Sequence, residues 1–328
     1  MQNRRHLLLS ASGLALALPG LARAQGGPWP SRPVRILNPY APGGASDIIV
    51  RPLTERLERA FGRPFVVENR PGAGGSVGTG AAAAERPDGY TLLVSNTGPL
   101  AVAPSLFPNL AYDPLKAFTW ITMLAGAPIV CAVKGEGGTI RSMTEYLTKA
   151  RAKAEEVSFG SSGVGSAGHL TGVLFGMETG TKLLHVPFRG AGETQQAVLS
   201  GQTDSLWDTL GANVQAIRAG NLRGLAVSSA ERVPAVPEVP TLRELGLPGV
   251  VSTNWFLLAA PAGLDPEIAA RLRSTVQEAL AEPATRERLS AAGFVSLGTP
   301  SPAEIGAFVE GEAARWGNVV RTAGVKPA

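Results

Sequence analysis

The sequence predicts an α/β protein of two lobes, joined by two crossover strands around a central cleft. Three observations carry that expectation. Short apolar runs alternate with amphipathic helical segments along the chain. Its 328 residues exceed what one hydrophobic core usually organises. The C-terminal part has too few strands to build a sheet of its own, so it must fold back onto an earlier unit.

The first unit reads as VRIL from Val34, a helix over Ile48 to Phe61, FVVE from Phe65, a small-residue helix near Val77 to Ala84, and YTLLVS from Tyr90. That rhythm predicts βαβαβ with a parallel sheet. After a less regular stretch, PIVCAV from Pro128 is expected to be a strand and opens a second series. It contains VSFG, a helix from His169, LLHVPF, a helix near Glu193 to Leu199, TDSLWD, a helix near Ala212 to Ala219, and LRGLAVS. WFLLAA from Trp255 gives a last strand. In the helices that follow, Ile268, Leu272, Val276 and Leu280 share one face, and Ile305, Phe308 and Trp316 share another. The chain is thus expected to cross between lobes twice, near Pro128 to Val133 and near Trp255 to Ala260. These crossings divide it into a first lobe of residues 25–127 and 256–328 and a second of residues 128–255.

The N-terminus predicts export. Arg4 and Arg5 precede an apolar run from Leu7 to Leu18 and the small-residue pattern Ala22-Arg23-Ala24, so residues 1–24 read as a signal peptide cut after Ala24. The general secretory and twin-arginine routes both fit. The periplasm is the expected compartment. The leader carries three of the 30 basic residues and none of the 26 acidic ones, so the mature chain is close to neutral. No basic cluster interleaved with aromatics is present, which argues against a nucleic-acid partner. Cys131 is the sole cysteine and allows no internal disulfide.

Two loops stand where the ligand of an open parallel sheet lies, beyond the carboxyl ends of strands. The first runs from Asn38 to Asp47 and includes Tyr40, Pro42, Gly43, Gly44, Ala45 and Ser46. The second runs from Gly160 to His169 and includes Ser161, Ser162, Gly165 and Ser166. Glycines let a ligand approach the backbone, and the helix after each loop points unpaired N–H groups and partial positive charge at it. One such loop on each lobe would grip an anion from both sides and shut the cleft.

Five stretches, PYAPGGASDIIVR, VVENRPGAGGSVGTGAAAAERPDGYTLLVSN, SFGSSGVGSAGHL, HVPFRGAGE and ERVPAVPEVPTLRELG, occur in order over nearly the whole mature chain. As a set they resemble the Bug (TctC-like) proteins, the substrate-binding components of tripartite tricarboxylate transporters. The resemblance implies a type II periplasmic-binding-protein fold with two Rossmann-like lobes, and carboxylate capture through the two loops. It also implies further contacts from Asn96 with Thr97 and from Asp208. One departure is Pro52 inside the first helix, which deletes an N–H and is expected to alter the helix direction.

Competing readings of the same residues are weaker. Gly163 to Gly168 fits G-x-G-x-x-G, but the next strand ends in HVPFR without the acidic residue a ribose needs. No G-x-S-x-G elbow occurs at the serine-rich loops, and His169 at a helix N-terminus is better placed as a neutral hydrogen-bonding group than as a proton shuttle. The mature chain keeps two histidines, too few for a typical metal centre. No cofactor or metal is expected. Asp47 has an alternative role as a first-turn helix stabiliser, and Asp208 as a cap. A contact from Asp208 to the ligand would favour an amino acid or a hydroxylated acid. Tyr40 and Phe188 are the aromatics expected in the cleft. The expected function is capture, without chemistry, of a di- or tricarboxylate, amino acid or aromatic acid by a monomer that delivers it to a membrane permease. The alternatives are a ligand-sensing subunit for a membrane kinase and a secreted serine hydrolase.

Overall fold

The computed structural model describes residues 29–152 and 154–327; the expected signal segment lies outside them. In the first lobe β1 (Val34–Asn38) runs between β2 (Phe65–Asn69) and β3 (Thr91–Asn96), all three parallel. Helix α1 (Ala45–Phe61) connects β1 to β2 and continues through Pro52; a 3₁₀ turn and α2 (Ser76–Ala83) connect β2 to β3. A π-helical turn at Gly98–Val102 and the short α3 (Ala103–Leu106) then lead into β4, a strand of 17 residues from Phe118 to Lys134.

Only the second half of β4 is legible as a strand from sequence. Its first half pairs with β9 (Thr253–Pro261), but the register breaks between Trp120 and Thr122 and again between Met123 and Ala125. Such bulges insert extra residues and erase the two-residue period that marks a strand.

The second lobe follows as α4 (Met143–Ala152), β5 (Ser158–Ser161), α5 (Ala167–Thr179), β6 (Leu184–Pro187), α6 (Ala191–Ser200), β7 (Ser205–Thr209), α7 (Leu210–Arg218) and β8 (Leu222–Val227). Strand β5 is parallel to both β6 and β7, whereas the end of β4 lies antiparallel between β7 and β8. Strand β9 likewise runs antiparallel between β3 and β4. The sheets are therefore mixed rather than wholly parallel: β4 and β9, running in opposite directions, supply the antiparallel pairs.

Strand β4 changes sheets between Pro128, which pairs with Thr253, and Ile129, which pairs with Thr209. At this junction side-chain hydroxyls supplement the ladder. Ile129 N–H donates to Ser228 Oγ at 2.8 Å, Ser228 Oγ donates to the Ser252 carbonyl at 2.7 Å, and Ser252 Oγ lies 2.8 Å from Thr171 Oγ1.

Helices α8 (Pro266–Ala281), α9 (Pro283–Ala291) and α10 (Pro302–Ala323) complete the described chain. Leu272 and Val276 of α8 are buried against the first sheet, with Ile268 and Leu280 packed at the margin, as their spacing predicts. On α10 the buried stripe is Ile305, Val309, Trp316 and Val320. Phe308, expected on that face, is instead 41% exposed, with its ring edge-on to Trp255 at 5.3 Å. Both indole N–H groups of Trp255 and Trp316 donate to the Glu312 carboxylate, at 3.0 and 3.1 Å, which is how two buried tryptophans keep their polar atoms satisfied.

Candidate functional site

Three helix N-termini meet at one cavity between the sheets. Its lining includes Gly44, Ala45 and Ser46 at the start of α1, Ser166, Ala167 and Gly168 at the start of α5, and Gly190 and Ala191 at the start of α6. No side chain caps α1 at Gly44 or α6 at Gly190. Helix α5 is capped by Ser166 Oγ, which accepts from the His169 N–H at 3.2 Å and so leaves the Ala167 and Gly168 amides outside that cap. Each helix follows a strand of its sheet, so the amides and dipoles are delivered by the strand-to-helix turn itself.

The remaining wall combines polar side chains with aromatic surface. Tyr40, Asn96, Ser162, Asp208, Thr209, Asn254 and Phe256 complete the lining. No lysine, arginine or histidine is among the described residues that line it. The enclosed space is about 20 Å³, room for about one water molecule. The loops of the two lobes touch around it: a Cβ added to Gly74 would meet the Val164 carbonyl oxygen at 2.3 Å, and one added to Gly190 would meet the Ala41 Cβ at 3.1 Å. This is a shut cleft, and a larger solute can enter only if the lobes part.

Of the residues expected from sequence, Tyr40, Gly44, Ala45, Ser46, Asn96, Ser162, Ser166 and Asp208 come together on this cavity. Pro42, Gly43, Asp47, Thr97, Ser161, Gly165, His169 and Phe188 do not line it. Several of these shape the loops that do. The buried Asp47 carboxylate accepts from Asn38 Nδ2 at 2.7 Å, Asn69 Nδ2 at 3.2 Å and the Gly43 N–H at 2.7 Å, with Arg51 Nε at 3.2 Å. It therefore organises the first loop from behind, with its charge already matched. Tyr40 spans the loops, its hydroxyl 2.7 Å from the Gly74 carbonyl and 3.0 Å from Asn96 Oδ1. Thr97 Oγ1 accepts from the Trp255 N–H at 3.2 Å and braces β9.

Behind the second loop, Ser161 Oγ lies 2.7 Å from His185 Nε2, and His169 Nδ1 accepts from the Gly165 N–H at 3.1 Å. The two imidazoles stack with centroids 3.8 Å apart and line a separate groove of about 710 Å³. Burial pushes the pKa of His169 down to about 4, and burial together with its neighbouring imidazole holds that of His185 well below the usual range. Both rings are thus neutral supports of the loop. Phe188 packs against Gly160, where an added Cβ would meet its ring at 3.0 Å.

Among the described residues, Asp208 is the one carboxylate lining the cavity. Its oxygens accept from Ser162 Oγ and the Thr209 N–H, each at 2.7 Å. Burial raises its pKa to about 6, against the opposing pull of those two bonds.

Ala167 and Gly168 line the cavity too, inside the second loop that the sequence singled out, whereas sequence reading missed Gly190, Ala191, Thr209, Asn254 and Phe256. The Gly190-Ala191 turn carried the available signal, because RGAGE sits between a strand and a helix as the first two loops do. Asn254 and Phe256 carried none, since Asn254 precedes the strand read from Trp255 and Phe256 lies within it as apolar core.

Comparison with known proteins agrees with this geometry. Residues 49–325 match the tripartite tricarboxylate transporter family receptor. Protein BugT of Bordetella pertussis (strain Tohama I) is 36% identical over 97% of this chain and 98% of its own. The solved periplasmic binding protein BugD superposes with a TM-score of 0.86 at 31% identity, over 91% of this chain and 99% of BugD. An adipate-bound protein of R. palustris superposes with a TM-score of 0.87 at 32% identity, over 92% and 100% of the two chains. A family match over residues 49–325, a relative 36% identical over nearly the whole chain and superposition on the solved relatives converge: the protein belongs to the tripartite tricarboxylate transporter receptor family, as a Bug-type solute-binding protein.

Proposed function

We propose that this chain captures a small carboxylate between its lobes and delivers it, unchanged, to a membrane permease of the tripartite tricarboxylate type. The observation that carries the reading is the convergence of the α1, α5 and α6 N-termini on one cavity with no basic side chain in its wall. Amides fixed at helix ends bind a carboxylate without a counter-cation, because the dipoles are prepaid by the fold. The adipate held by the R. palustris relative supports the ligand class.

The proposed contacts are the backbone of Gly44 to Ser46, Ser166 to Gly168 and Gly190 to Ala191, with Tyr40, Asn96, Ser162 and Asp208 shaping the rest. Pro42, Gly43, Asp47, Thr97, Ser161, Gly165, His169 and Phe188 act by holding the loops. Residues 25–127 with 256–328 form the lobe bearing the first loop, and residues 128–255 the other. The Ser161 and His185 pair supports its loop behind the cavity and does not line it, so no turnover accompanies binding. The signal segment directs export to the periplasm and is cleaved after Ala24, which mass measurement of the secreted protein checks.

Thermal denaturation against a panel of mono-, di- and tricarboxylates tests the reading. A ligand at a hundred times its dissociation constant adds about 2.7 kcal/mol of stability. Should no carboxylate shift the transition, the reading fails.

A further inference from the structure

Two acceptors on the cleft wall lack the partner that their burial demands. Asp208 is 5% exposed and bound only by two neutral donors, Ser162 Oγ and the Thr209 N–H. A carboxylate has about four acceptor positions, so two remain, and among the described residues no cation lines the cavity to match its charge. The second acceptor is Asn254 Oδ1. Its amide nitrogen is engaged, donating to Thr209 Oγ1 at 2.9 Å, while Oδ1 is buried with no hydrogen-bond partner. An unpartnered buried carbonyl costs about 1 to 3 kcal/mol and is rare enough to require a reason.

The wall thus has two chemically opposite parts. Helix amides offer donors and partial positive charge, suited to a carboxylate. Asp208 and Asn254 offer acceptors and a full negative charge, which repel a second carboxylate and attract a charged donor. A hydroxyl would bring one hydrogen and leave the Asp208 charge uncompensated. A primary ammonium brings three hydrogens and the missing positive charge together. Resting on the carboxylate reading above, we infer that the solute also carries an ammonium group, as an amino acid does, and that Asp208 with Asn254 selects it. The raised proton affinity of Asp208 in the empty cleft agrees, because it marks a charge awaiting its partner.

Isothermal titration at pH 8 with matched acids that differ only by the amine tests this: succinate with L-aspartate, glutarate with L-glutamate, and 3-phenylpropanoate with L-phenylalanine, plus L-malate as the hydroxyl control. In the pair that binds, the amino member should bind at least tenfold more tightly. Asp208→Asn, which keeps an acceptor for the Thr209 N–H, should cost the amino member at least tenfold and improve binding of its amine-free partner. An amine-free acid or L-malate binding as tightly as the amino acid, or a ratio unchanged by the substitution, overturns the inference and leaves the carboxylate reading intact. The wild-type ratios decide even if the variant folds poorly. Should none of these acids bind while an amine-free carboxylate of the thermal panel does, this inference fails alone; should no carboxylate bind at all, both fail.

Discussion

Replacing Asp208 with asparagine should make the empty protein more stable at pH 8, although it removes a buried, hydrogen-bonded side chain. The pKa of Asp208 is raised from 3.8 to about 6 because burial penalises its charge more than Ser162 and Thr209 favour it. The folded state therefore binds the proton more tightly than the unfolded chain does. The penalty is absent below pH 4, grows as pH rises, and is complete above the folded-state pKa. Two pH units correspond to about 3 kcal/mol at pH 8 and to about half of that at pH 5. Asparagine has the shape without the charge, so Asp208→Asn should gain about 3 kcal/mol at pH 8, a rise in Tm of about 5 °C for a chain of this length. Urea denaturation of both proteins at pH 8 and pH 5, without ligand, measures the difference. A variant no more stable than the parent at pH 8, or a gain equally large at both values, would refute the electrostatic argument and show that the two hydrogen bonds outweigh desolvation.

Gly74→Ala should hold the lobes apart: φ at Gly74 is +59°, and the new methyl would collide with the Val164 carbonyl of the other lobe. The left-handed backbone costs about 1 kcal/mol of stability, while affinity for any bound carboxylate should drop tenfold or more; titration showing unchanged affinity would refute the contact as a closure point. The contribution of His169 to stability should decline as pH falls from 6.5 towards 4, against the opposite trend from Asp208, because His169 folds as a neutral ring with its pKa lowered to about 4 and must take up a proton on unfolding. The loss from His169 alone is about 2 kcal/mol at pH 5, read as a lower urea midpoint in the parent than in a His169→Gln variant after normalising both at pH 7.5. Ser301→Ala removes half of a capping box in which Ser301 Oγ accepts from Glu304 N–H and Glu304 Oε2 accepts from Ser301 N–H. It should cost about 1 kcal/mol in chemical denaturation and leave solute affinity unaltered.

The loops could be found in the sequence because their signal is local. Glycine and serine crowded between a strand and a helix, as at Gly43 to Ser46 and Ser161 to Ser166, have few uses other than backbone exposure. What sequence could not reveal depends on pairing between distant segments. Phe256 reads as core strand and Asn254 falls just before it, and only the ladder of β9 against β4 turns both towards the cleft. The first half of β4 was hidden by its two bulges. Phe308 shared a helical spacing with Ile305 but sits at the margin of the stripe, where three residues of offset bring it to solvent. Asp47 shows the opposite case: its place in the loop suggested the ligand and its charge a first-turn helix stabiliser, and three donors and Arg51 already occupy its carboxylate.

The serine hydroxyls at the seam between Pro128 and Ile129 have a mechanical meaning. Peptide hydrogen bonds in a ladder fix direction as well as distance, so a sheet resists twisting across them. A hydroxyl rotates about its Cβ–Oγ bond and keeps its partner through a range of angles. With Ser228, Ser252 and Thr171 clustered there, the seam combines such adaptable contacts with peptide hydrogen bonds from Ser228 N–H to the Ile129 carbonyl and from Ser252 N–H to the Ser228 carbonyl, so a change of angle between the sheets would strain the peptide hydrogen bonds before the hydroxyl ones.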